Sequence, residues 1–414
     1  MKRRVVVTGL GLVTPVGNDV PTAWRAILDG ASGGGPITHF NPEKHRVRFA
    51  CEVKGFDPLL YMDKKEVKRS DLYTRYALAA SVQAMQDAGF GDSTGYDPLE
   101  FGVIIGSGIG GIATFEEQQD ICRSMGPNRV SAFFVPMFIG DIAAGVVSMR
   151  YGLKGPNYAT QSACATSAHA IGDACRAIQY GDADLMLAGG SEAAVSSMAV
   201  AGFANMQALS YNNDNPLTAS RPFSATRDGF VLGEGAGIVV LEELEHARKR
   251  GARIYGEIVG YGSTGDAFHL TGQPEDHEGL QRAMRKALKE AGLAPEDVQY
   301  VNAHGTSTPM NDPNEIRAIK KVFGEHARTM NVSSTKSSTG HTLGAAGAIE
   351  FVFTTLAVHH DTIPPTINLT DPDPECDLNC TPLTPVKREV RAAISNSSGF
   401  GGHNVTIAVR KYTA

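Results

Sequence analysis

Residues 157–181, NYATQSACATSAHAIGDACRAIQYG, and residues 331–357, NVSSTKSSTGHTLGAAGAIEFVFTTLA, share the pattern that decides the fold. Each begins like a strand, passes through a turn of small residues and continues as a helix with apolar residues at helical spacing. Three further segments of the second half repeat first-half segments: GLQRAMRKALKEAGL (279–293) parallels the helix ending MQDAGF (85–90), VQYVNAHGTST (298–308) parallels FGVIIGSGIGG (101–111), and AAISNSSGFGG (392–402) parallels LMLAGGSEA (185–193). The sequence therefore predicts two related halves.

The strands of both halves are almost entirely apolar, as in RRVVVTGLG (3–11) and DLMLAGGS (184–191). Such runs are typical of a sheet covered on both faces, which predicts the α/β class. The join lies in RKRGARIYGEIVG, so we predict an N-terminal half over 1–254 and a C-terminal half over 255–414. In such a duplicated pair, equivalent turns can converge on one central site.

Composition and charge exclude several classes of protein. The chain has 414 residues, 42% of them hydrophobic, and a net charge of -6, which argues against nonspecific nucleic-acid binding. The start of the chain lacks the pattern of a signal peptide, and no apolar run approaches the roughly 18 residues of a membrane span. The six cysteines show no metal-type pairing. We expect a reduced, cytoplasmic protein with no membrane or nucleic-acid partner.

The segment GSGIGG (106–111) follows a strand and fits the G-x-G-x-x-G fingerprint of dinucleotide binding. The following residues, 112–136, offer no second strand that ends in an acidic residue, as that motif requires. We therefore interpret these glycines as positions of tight turns and close backbone contact.

Cys164 lies where the first strand-like run turns into a helix. Unpaired N–H groups at a helix N-terminus favour a thiolate and can also hold a developing oxyanion. From this segment alone, a buried structural cysteine is at least as good an interpretation. Cys175 and His169, further along the helix, are interpreted as packing residues.

His304 and His341 lie among Gly, Ser and Thr at two further predicted strand-to-helix turns. A neutral imidazole there can donate a hydrogen bond to a carbonyl oxygen that gains negative charge. Zinc bound by one cysteine and two histidines is the competing interpretation. Lys336 is either a surface lysine or a buried cation that orients a histidine or carboxylate, and Glu350, on an apolar helix, needs a partner.

Four segments together resemble, in order, the active-site blocks of the β-ketoacyl-acyl carrier protein synthases: QSACATS (161–167), VNAHGTSTP (301–309), TKSSTGHTLGAAGAIE (335–350) and SNSSGFGGHN (395–404). The resemblance continues through SRPFSATRDGFVLGEGAG (220–237) and RRVVVTGLGLVTPVG (3–17), and so spans essentially the whole chain. Three features resemble the elongating type II class: the set of one cysteine with two histidines, Ile109, and the segment MDKKEVKRSDLYTRYA (62–77). The resemblance implies a thiolase fold of two repeated halves in five αβαβα layers, a homodimer and no required cofactor.

The resemblance also implies residue roles. Cys164 would accept the acyl chain, His304 and His341 would be the paired histidines, and Lys336 would support them. The N–H groups of Cys164 and Phe400 would form the oxyanion hole, and Phe400 would control malonyl access. The other implied sites are a phosphopantetheine contact at Thr306 and Thr308, an acyl pocket at Ile109 and Phe203, a structural Na⁺ or K⁺ near Asn302, Glu350, Ser395 and Asn396, and a docking patch for acidic acyl carrier protein at Lys64, Lys65, Lys68, Arg69 and Arg129.

The implied activity is decarboxylative condensation of malonyl-carrier protein with the Cys-bound acyl chain, extending fatty acids by two carbons. A polyketide-type ketosynthase and a non-catalytic chain-length-factor-like subunit are the alternatives, whereas a thiolase would need a second catalytic cysteine near the C-terminus. The basic run at 64–69, taken alone, is most often a solvated helix face. Asn311 stands where members of the family commonly carry glycine, and asparagine can tolerate the same left-handed backbone, so this difference does not affect the predicted catalysis.

Overall fold

The computed structural model describes residues 2–91 and 95–413, and its strands form where the apolar runs predict them. Within this part of the chain the strands are β1 (Val5–Val13), β2 (Gly35–Pro36), β3 (Phe49–Ala50), β4 (Phe101–Gly106), β5 (Asn157–Tyr158), β6 (Leu185–Glu192), β7 (Gly235–Glu243), β8 (Gly256–Gly265), β9 (Tyr300–Asn302), β10 (Asn331–Ser333), β11 (Thr362–Ile363), β12 (Val386–Lys387), β13 (Ala392–Gly399) and β14 (His403–Arg410).

The helices follow the segments with apolar residues at helical spacing. Those of the described residues are α1 (Val20–Leu28), α2 (Lys64–Lys68), α3 (Leu72–Asp87), α4 (Ile112–Met125), α5 (Phe134–Phe138), α6 (Ile142–Tyr151), α7 (Thr166–Tyr180), α8 (Ser197–Asn205), α9 (Leu244–Lys249), α10 (Glu278–Ala291), α11 (Asn311–Phe323), α12 (Lys336–Thr339) and α13 (Ala346–His360). Glycines in left-handed backbone end α7 at Gly181 and α10 at Gly292, as the sequence predicts.

Ten strands form one mixed sheet in which the two halves have the same topology. The N-terminal half runs β1-β7-β6-β4-β5 and the C-terminal half runs β8-β14-β13-β9-β10. In each half the first two pairings of this order are antiparallel and the last two are parallel. Antiparallel pairing of β1 with β8 joins the halves. The two repeated halves predicted from the sequence are confirmed.

Helices cover and separate the two halves of the sheet. α7 and α13 pack against each other and against strands of both halves, while α3 and α6 pack on the first half and α10 on the second. The central helices approach closely because their facing residues are small: a Cβ added to Gly347 would lie 2.8 Å from the Ala168 Cβ. Cys175 is buried in this central core. The α/β class and the five αβαβα layers are thus confirmed.

The division of the chain after residue 254 stays a prediction.

No helix of residues 2–91 and 95–413 is both long enough and apolar enough to cross a bilayer.

Candidate active site

Two turns at the ends of the central helices have the same backbone form. A 3-10 turn, Ala163–Ala165, leads into α7, and another, Leu343–Ala345, leads into α13. Each begins with a non-glycine residue in left-handed backbone, Ala163 at φ +50° and Leu343 at φ +47°. Cys164 is the second residue of the first turn, and Gly344 is its counterpart in the second.

A cavity of about 1080 Å³ brings the predicted catalytic side chains together. Cys164, His304, His341 and Phe400 all line it. The predicted substrate residues Ile109, Phe203, Thr306 and Thr308 line the same cavity. This volume is at the upper end of the range for pockets that bind small molecules.

The two histidines face each other at nearly right angles, with ring centroids 5.4 Å apart. The Glu315 carboxylate holds the His304 turn by accepting hydrogen bonds from the N–H groups of His304 (2.9 Å) and Gly305 (2.8 Å). The His341 main chain is held by Val231, whose carbonyl accepts its N–H at 2.7 Å. Main-chain contacts to other elements therefore fix the backbone at both rings.

Lys336 is a buried cation, only 1% exposed, and not a surface lysine. Its Nζ donates hydrogen bonds to Glu350 Oε1 and, at 3.4 Å, to His304 Nδ1. An ammonium group can only donate, so Nδ1 of His304 accepts and the proton of the neutral ring lies on Nε2. Lys336 thus sets the tautomer of His304, which lies in a different sequence block, rather than that of His341, which lies in the same block as Lys336.

Burial and charge keep both histidines neutral. Burial, with the Lys336 charge as the next cause, places the pKa values of His304 and His341 well below the ordinary 6.5. Burial raises the pKa of Glu350 to about 7, against the pull of the neighbouring Lys336. Two neutral imidazoles can donate hydrogen bonds to a carbonyl oxygen of a substrate.

At rest the Cys164 side chain is a thiol, whereas its position at a helix N-terminus favoured a thiolate. Burial raises the pKa of this thiol to about 12, although the Lys336 charge and the N–H groups of Phe400 and Cys164 itself lower it. The helix-terminal donors are present, but the loss of water outweighs them. The main-chain N–H of Phe400 reaches the Cys164 sulfur because the preceding Gly399 has no side chain. A Cβ at Gly399 would lie 3.1 Å from the Cys164 nitrogen.

The apolar end of the cavity is formed by Ile109 and Phe203, which pack in one cluster with Cys164. Phe230, which the sequence analysis did not single out, contacts Phe203 and His341 with centroid distances of 5.4 and 5.2 Å. The Oγ1 atoms of Thr306 and Thr308 lie 3.0 Å apart on the polar wall.

Two carboxylates that hold the site were missed. Glu315 holds the His304 turn, and Glu192 accepts hydrogen bonds from Ser107, Gly108, Ile109 and Gly344. A usable signal exists for Glu192, because a carboxylate at the end of an otherwise apolar strand is buried and must find donors.

The predicted cation residues lie together, since Asn302 and Ser395 are register partners on β9 and β13. Asn302 Oδ1 and Glu350 Oε2 are buried oxygens that find no hydrogen-bond partner among the residues that the structure describes. Both amide atoms of Asn396 are engaged, by Glu315 and Thr406. Among the described residues no group of three or more His, Cys, Asp and Glu is arranged to hold a metal ion, so the zinc interpretation is not supported.

The predicted docking residues are exposed and lie outside the cavity wall. Within the described chain, none of these five basic side chains forms an ion pair, and the Arg69 guanidinium lies over the Phe133 ring, 4.4 Å from its centroid. They are Lys64, Lys65, Lys68, Arg69 and Arg129.

Asn311 does not use the left-handed backbone that asparagine tolerates, and two packing interpretations are supported. Asn311 begins α11 with helical backbone, and the left-handed backbone of the preceding loop lies at Gly305 (φ +34°) and Ser307 (φ +68°). Gly106 permits close packing, since a Cβ there would lie 2.6 Å from the Thr160 carbonyl oxygen. His169 bonds Ser162 and Ser263 through its two ring nitrogens and lies outside the cavity lining.

Known proteins share this fold and sequence over the full chain. The Beta-ketoacyl synthase N-terminal domain matches residues 2–247, and the C-terminal domain of the same family matches residues 255–370. The "3-oxoacyl-[acyl-carrier-protein] synthase 2" of Synechocystis sp. is 52% identical over 99% of both chains, and that of Staphylococcus aureus strain N315 is 51% identical over 100% of this chain and 99% of the relative.

Solved structures agree. A β-ketoacyl synthase from Burkholderia phymatum superposes with a TM-score of 0.93 at 36% identity over the whole of both chains. A type II polyketide ketosynthase solved with its acyl-carrier protein superposes with a TM-score of 0.91 at 37% identity, also over both whole chains. The chain belongs to the β-ketoacyl synthase family.

Proposed function

We propose that the chain is an elongating 3-oxoacyl-[acyl-carrier-protein] synthase that condenses malonyl-carrier protein with an acyl chain held on Cys164. One observation carries this proposal: Cys164 and two neutral histidines line one cavity, and a buried lysine fixes the tautomer of one of them. Fatty-acid elongation is favoured over polyketide synthesis, because relatives of the first kind are 52% and 51% identical and the polyketide ketosynthase is 37% identical. Cys164 itself argues against a non-catalytic chain-length factor.

The first stage transfers the acyl chain to the enzyme. The Cys164 sulfur attacks the thioester carbonyl of the acyl-carrier protein, and the departing phosphopantetheine thiol leaves with the thiol proton. The oxyanion formed on the way lies against the N–H groups of Cys164 and Phe400, which already face the sulfur. The acyl chain extends past Ile109 and Phe203, and the arm passes Thr306 and Thr308.

The second stage forms the carbon–carbon bond. His304, through its Nε2–H, and His341 donate hydrogen bonds to the thioester carbonyl of malonyl-carrier protein while carbon dioxide leaves. The resulting enolate attacks the acyl-Cys164 carbonyl, and collapse of the adduct releases the 3-oxoacyl chain and the Cys164 sulfur, which regains a proton. Loss of carbon dioxide supplies the carbanion, so no strong base is needed, in accord with histidines whose pKa values are low.

The chemistry requires no cofactor, and a structural Na⁺ or K⁺ would be held by Asn302 and Glu350. Their free oxygens suit a hard cation. Such an ion would supply positive charge beside the Lys336–Glu350 pair.

The partners are acyl carrier protein and a second copy of the chain, and the location is the cytoplasm. The five exposed basic residues suit an acidic carrier protein and would raise its rate of association. β5 (Asn157–Tyr158) is an exposed sheet edge, and Met149 on α6, which packs against β5, is 73% exposed. An open edge beside an exposed apolar side chain favours pairing with another copy.

The proposal is tested by incubating the wild type and Cys164→Ala with acyl- and malonyl-carrier proteins and measuring products by mass spectrometry. We expect 3-oxoacyl product and an acylated enzyme only with the wild type. Absence of product from the wild type would refute the function, and acylation of Cys164→Ala would refute the nucleophile.

A further inference from the structure

Glu192, the last residue of β6, is a buried carboxylate that forms no ion pair within residues 2–91 and 95–413. It is fully buried and accepts four hydrogen bonds, from Ser107 Oγ (2.8 Å) and from the N–H groups of Gly108 (2.8 Å), Ile109 (3.2 Å) and Gly344 (2.9 Å). Ser107 Oγ in turn accepts the Gly110 N–H at 3.0 Å, so its proton points to Glu192. Every partner donates, as an ionised carboxylate requires.

This carboxylate occupies the counterpart of the oxyanion hole. Gly344 is equivalent to Cys164, and the eight-residue strands β6 and β13 are equivalent in the sheet. Their last residues are Glu192 and Gly399, and each lies against the turn of the other half. Gly399 has no side chain to place against the Cys164 N–H, whereas the Glu192 carboxylate fills the corresponding site at Gly344.

The carboxylate also joins two walls of the cavity. A Cβ added to Gly344 would collide with the Gly108 nitrogen, and one added to Gly108 would lie 2.7 Å from Glu192 Oε2, so no space separates the two backbone segments. One segment carries Ile109 and the other carries Leu343. Both side chains line the cavity and pack in the apolar cluster of Cys164.

We propose that Glu192 is a positioning residue that sets the distance between the Ile109 and Leu343 walls and thereby determines which acyl chains the cavity accepts. The consequence for acyl selection rests on the proposed function, whereas the connection between the two segments does not. The Ile109 N–H bonds Oε1 and the Gly344 N–H bonds Oε2 of the same carboxylate. A glutamine keeps only one accepting oxygen and presents a donating NH₂ group in place of the other, so it cannot serve both segments. An unpaired buried donor is costly, so the two segments separate and the cavity discriminates less sharply between chain lengths.

The kinetic test compares Glu192→Gln with Glu52→Gln. Glu52 is a matched control, because this buried carboxylate also accepts only neutral donors, Thr38 N, Thr38 Oγ1 and His39 N, and lies outside the cavity wall. The readout is the ratio of kcat/KM between the best and worst donors in a series from acetyl- to palmitoyl-carrier protein. Partial unfolding lowers kcat/KM for all donors by the same factor and leaves this ratio unchanged.

We expect the ratio to fall about fivefold or more in Glu192→Gln, since one methylene group in a hydrophobic pocket is worth about 10-fold or more, and to stay unchanged in Glu52→Gln. An unchanged ratio in Glu192→Gln, or an equal fall in both variants, would overturn the role in acyl selection.

The structural test needs no activity. Amide hydrogen exchange should accelerate in both 107–111 and 341–346 of Glu192→Gln, while 300–306 keeps its wild-type rate. Unchanged exchange, or acceleration in only one segment, would overturn the connection. An inactive wild type with the expected exchange would refute the proposed function and leave the connection between the segments established.

Discussion

The turns Ala163–Ala165 and Leu343–Ala345 have the same backbone form but different surroundings. Both begin with a left-handed non-glycine residue, and both lead into a buried helix of 15 residues. At the first turn the donors face a cavity, beside Cys164 and the glycine at the end of β13. At the second turn the equivalent donor is saturated by Glu192 from the end of β6.

The difference shows where the chemistry of this fold is decided. The repeated backbone supplies an anion-binding turn in each half, and the residue at the end of the opposite strand determines whether that turn is open or filled. In the proposed mechanism the first turn holds a transient charge during catalysis, whereas the second turn is filled by the Glu192 carboxylate.

The largest effect is expected from filling the open turn. Gly399→Glu places a carboxylate where Glu192 stands in the other half, so we expect acyl-enzyme formation to fall at least about 1000-fold, because the oxyanion loses its donors. Gly399→Ala is the steric control, since its Cβ would lie 2.6 Å from the Ser162 carbonyl oxygen. We expect a fall of about 10- to 100-fold for that control. Intact-protein mass spectrometry measures both rates, and equal losses would show that charge at this position is irrelevant.

The second effect concerns the histidines beside the two turns. Lys336→Met removes the donor to His304 Nδ1 and leaves Glu350 unpaired, so we expect about 3 kcal/mol of lost stability and about 100-fold slower condensation. The double variant Lys336→Met/Glu350→Gln should regain most of the stability, measured by denaturant unfolding, without regaining activity. Recovery of both together would mean that Lys336 acts only through folding.

The sequence predicted the fold well because the decisive patterns are local. Apolar strands, glycine-ended helices and the repeated order of segments are each read within about twenty residues. The cavity residues were predicted by resemblance, since only the fold brings Cys164, His304 and His341 together across more than a hundred residues. The sequence offered Lys336 as a buried cation but did not show that its partner is His304. It also did not show that burial leaves Cys164 a thiol at rest or that Glu315 holds the His304 turn, because these effects depend on neighbours from distant segments.

The third effect tests how tightly the filled turn is packed. Gly344→Ala adds a Cβ that would collide with the Gly108 nitrogen and lie 2.6 Å from Glu192 Oε2, so we expect about 3 kcal/mol of destabilisation. Gly202→Ala, in the exposed part of α8 with nothing within 4 Å of the added Cβ, should be neutral or stabilising. Comparable unfolding free energies for the two variants would show that the turn at Gly344 accommodates an added Cβ without strain.

The fourth effect is a pH dependence of stability from the two histidines at the open site. The unfolded chain binds protons on His304 and His341 near pH 6.5, whereas the folded chain, with pKa values well below that, does not. Acid therefore favours unfolding, by about 2 kcal/mol per histidine at pH 5 relative to pH 8. His341→Gln should lose less stability than the wild type over this range in chemical denaturation. Identical slopes would mean that His341 titrates normally in the folded protein.

The smallest effect isolates the shared backbone form itself. Glycine accepts left-handed backbone without steric cost, but it also gains freedom in the unfolded chain, and the two terms nearly cancel. Ala163→Gly should therefore change the free energy of unfolding by less than about 1 kcal/mol. Leu343→Gly carries the same backbone term and also removes a buried side chain, so it should cost about 2 kcal/mol more. If the two variants were equally stable, the Leu343 side chain would contribute nothing to the packing, and only the backbone of the two turns would matter for stability.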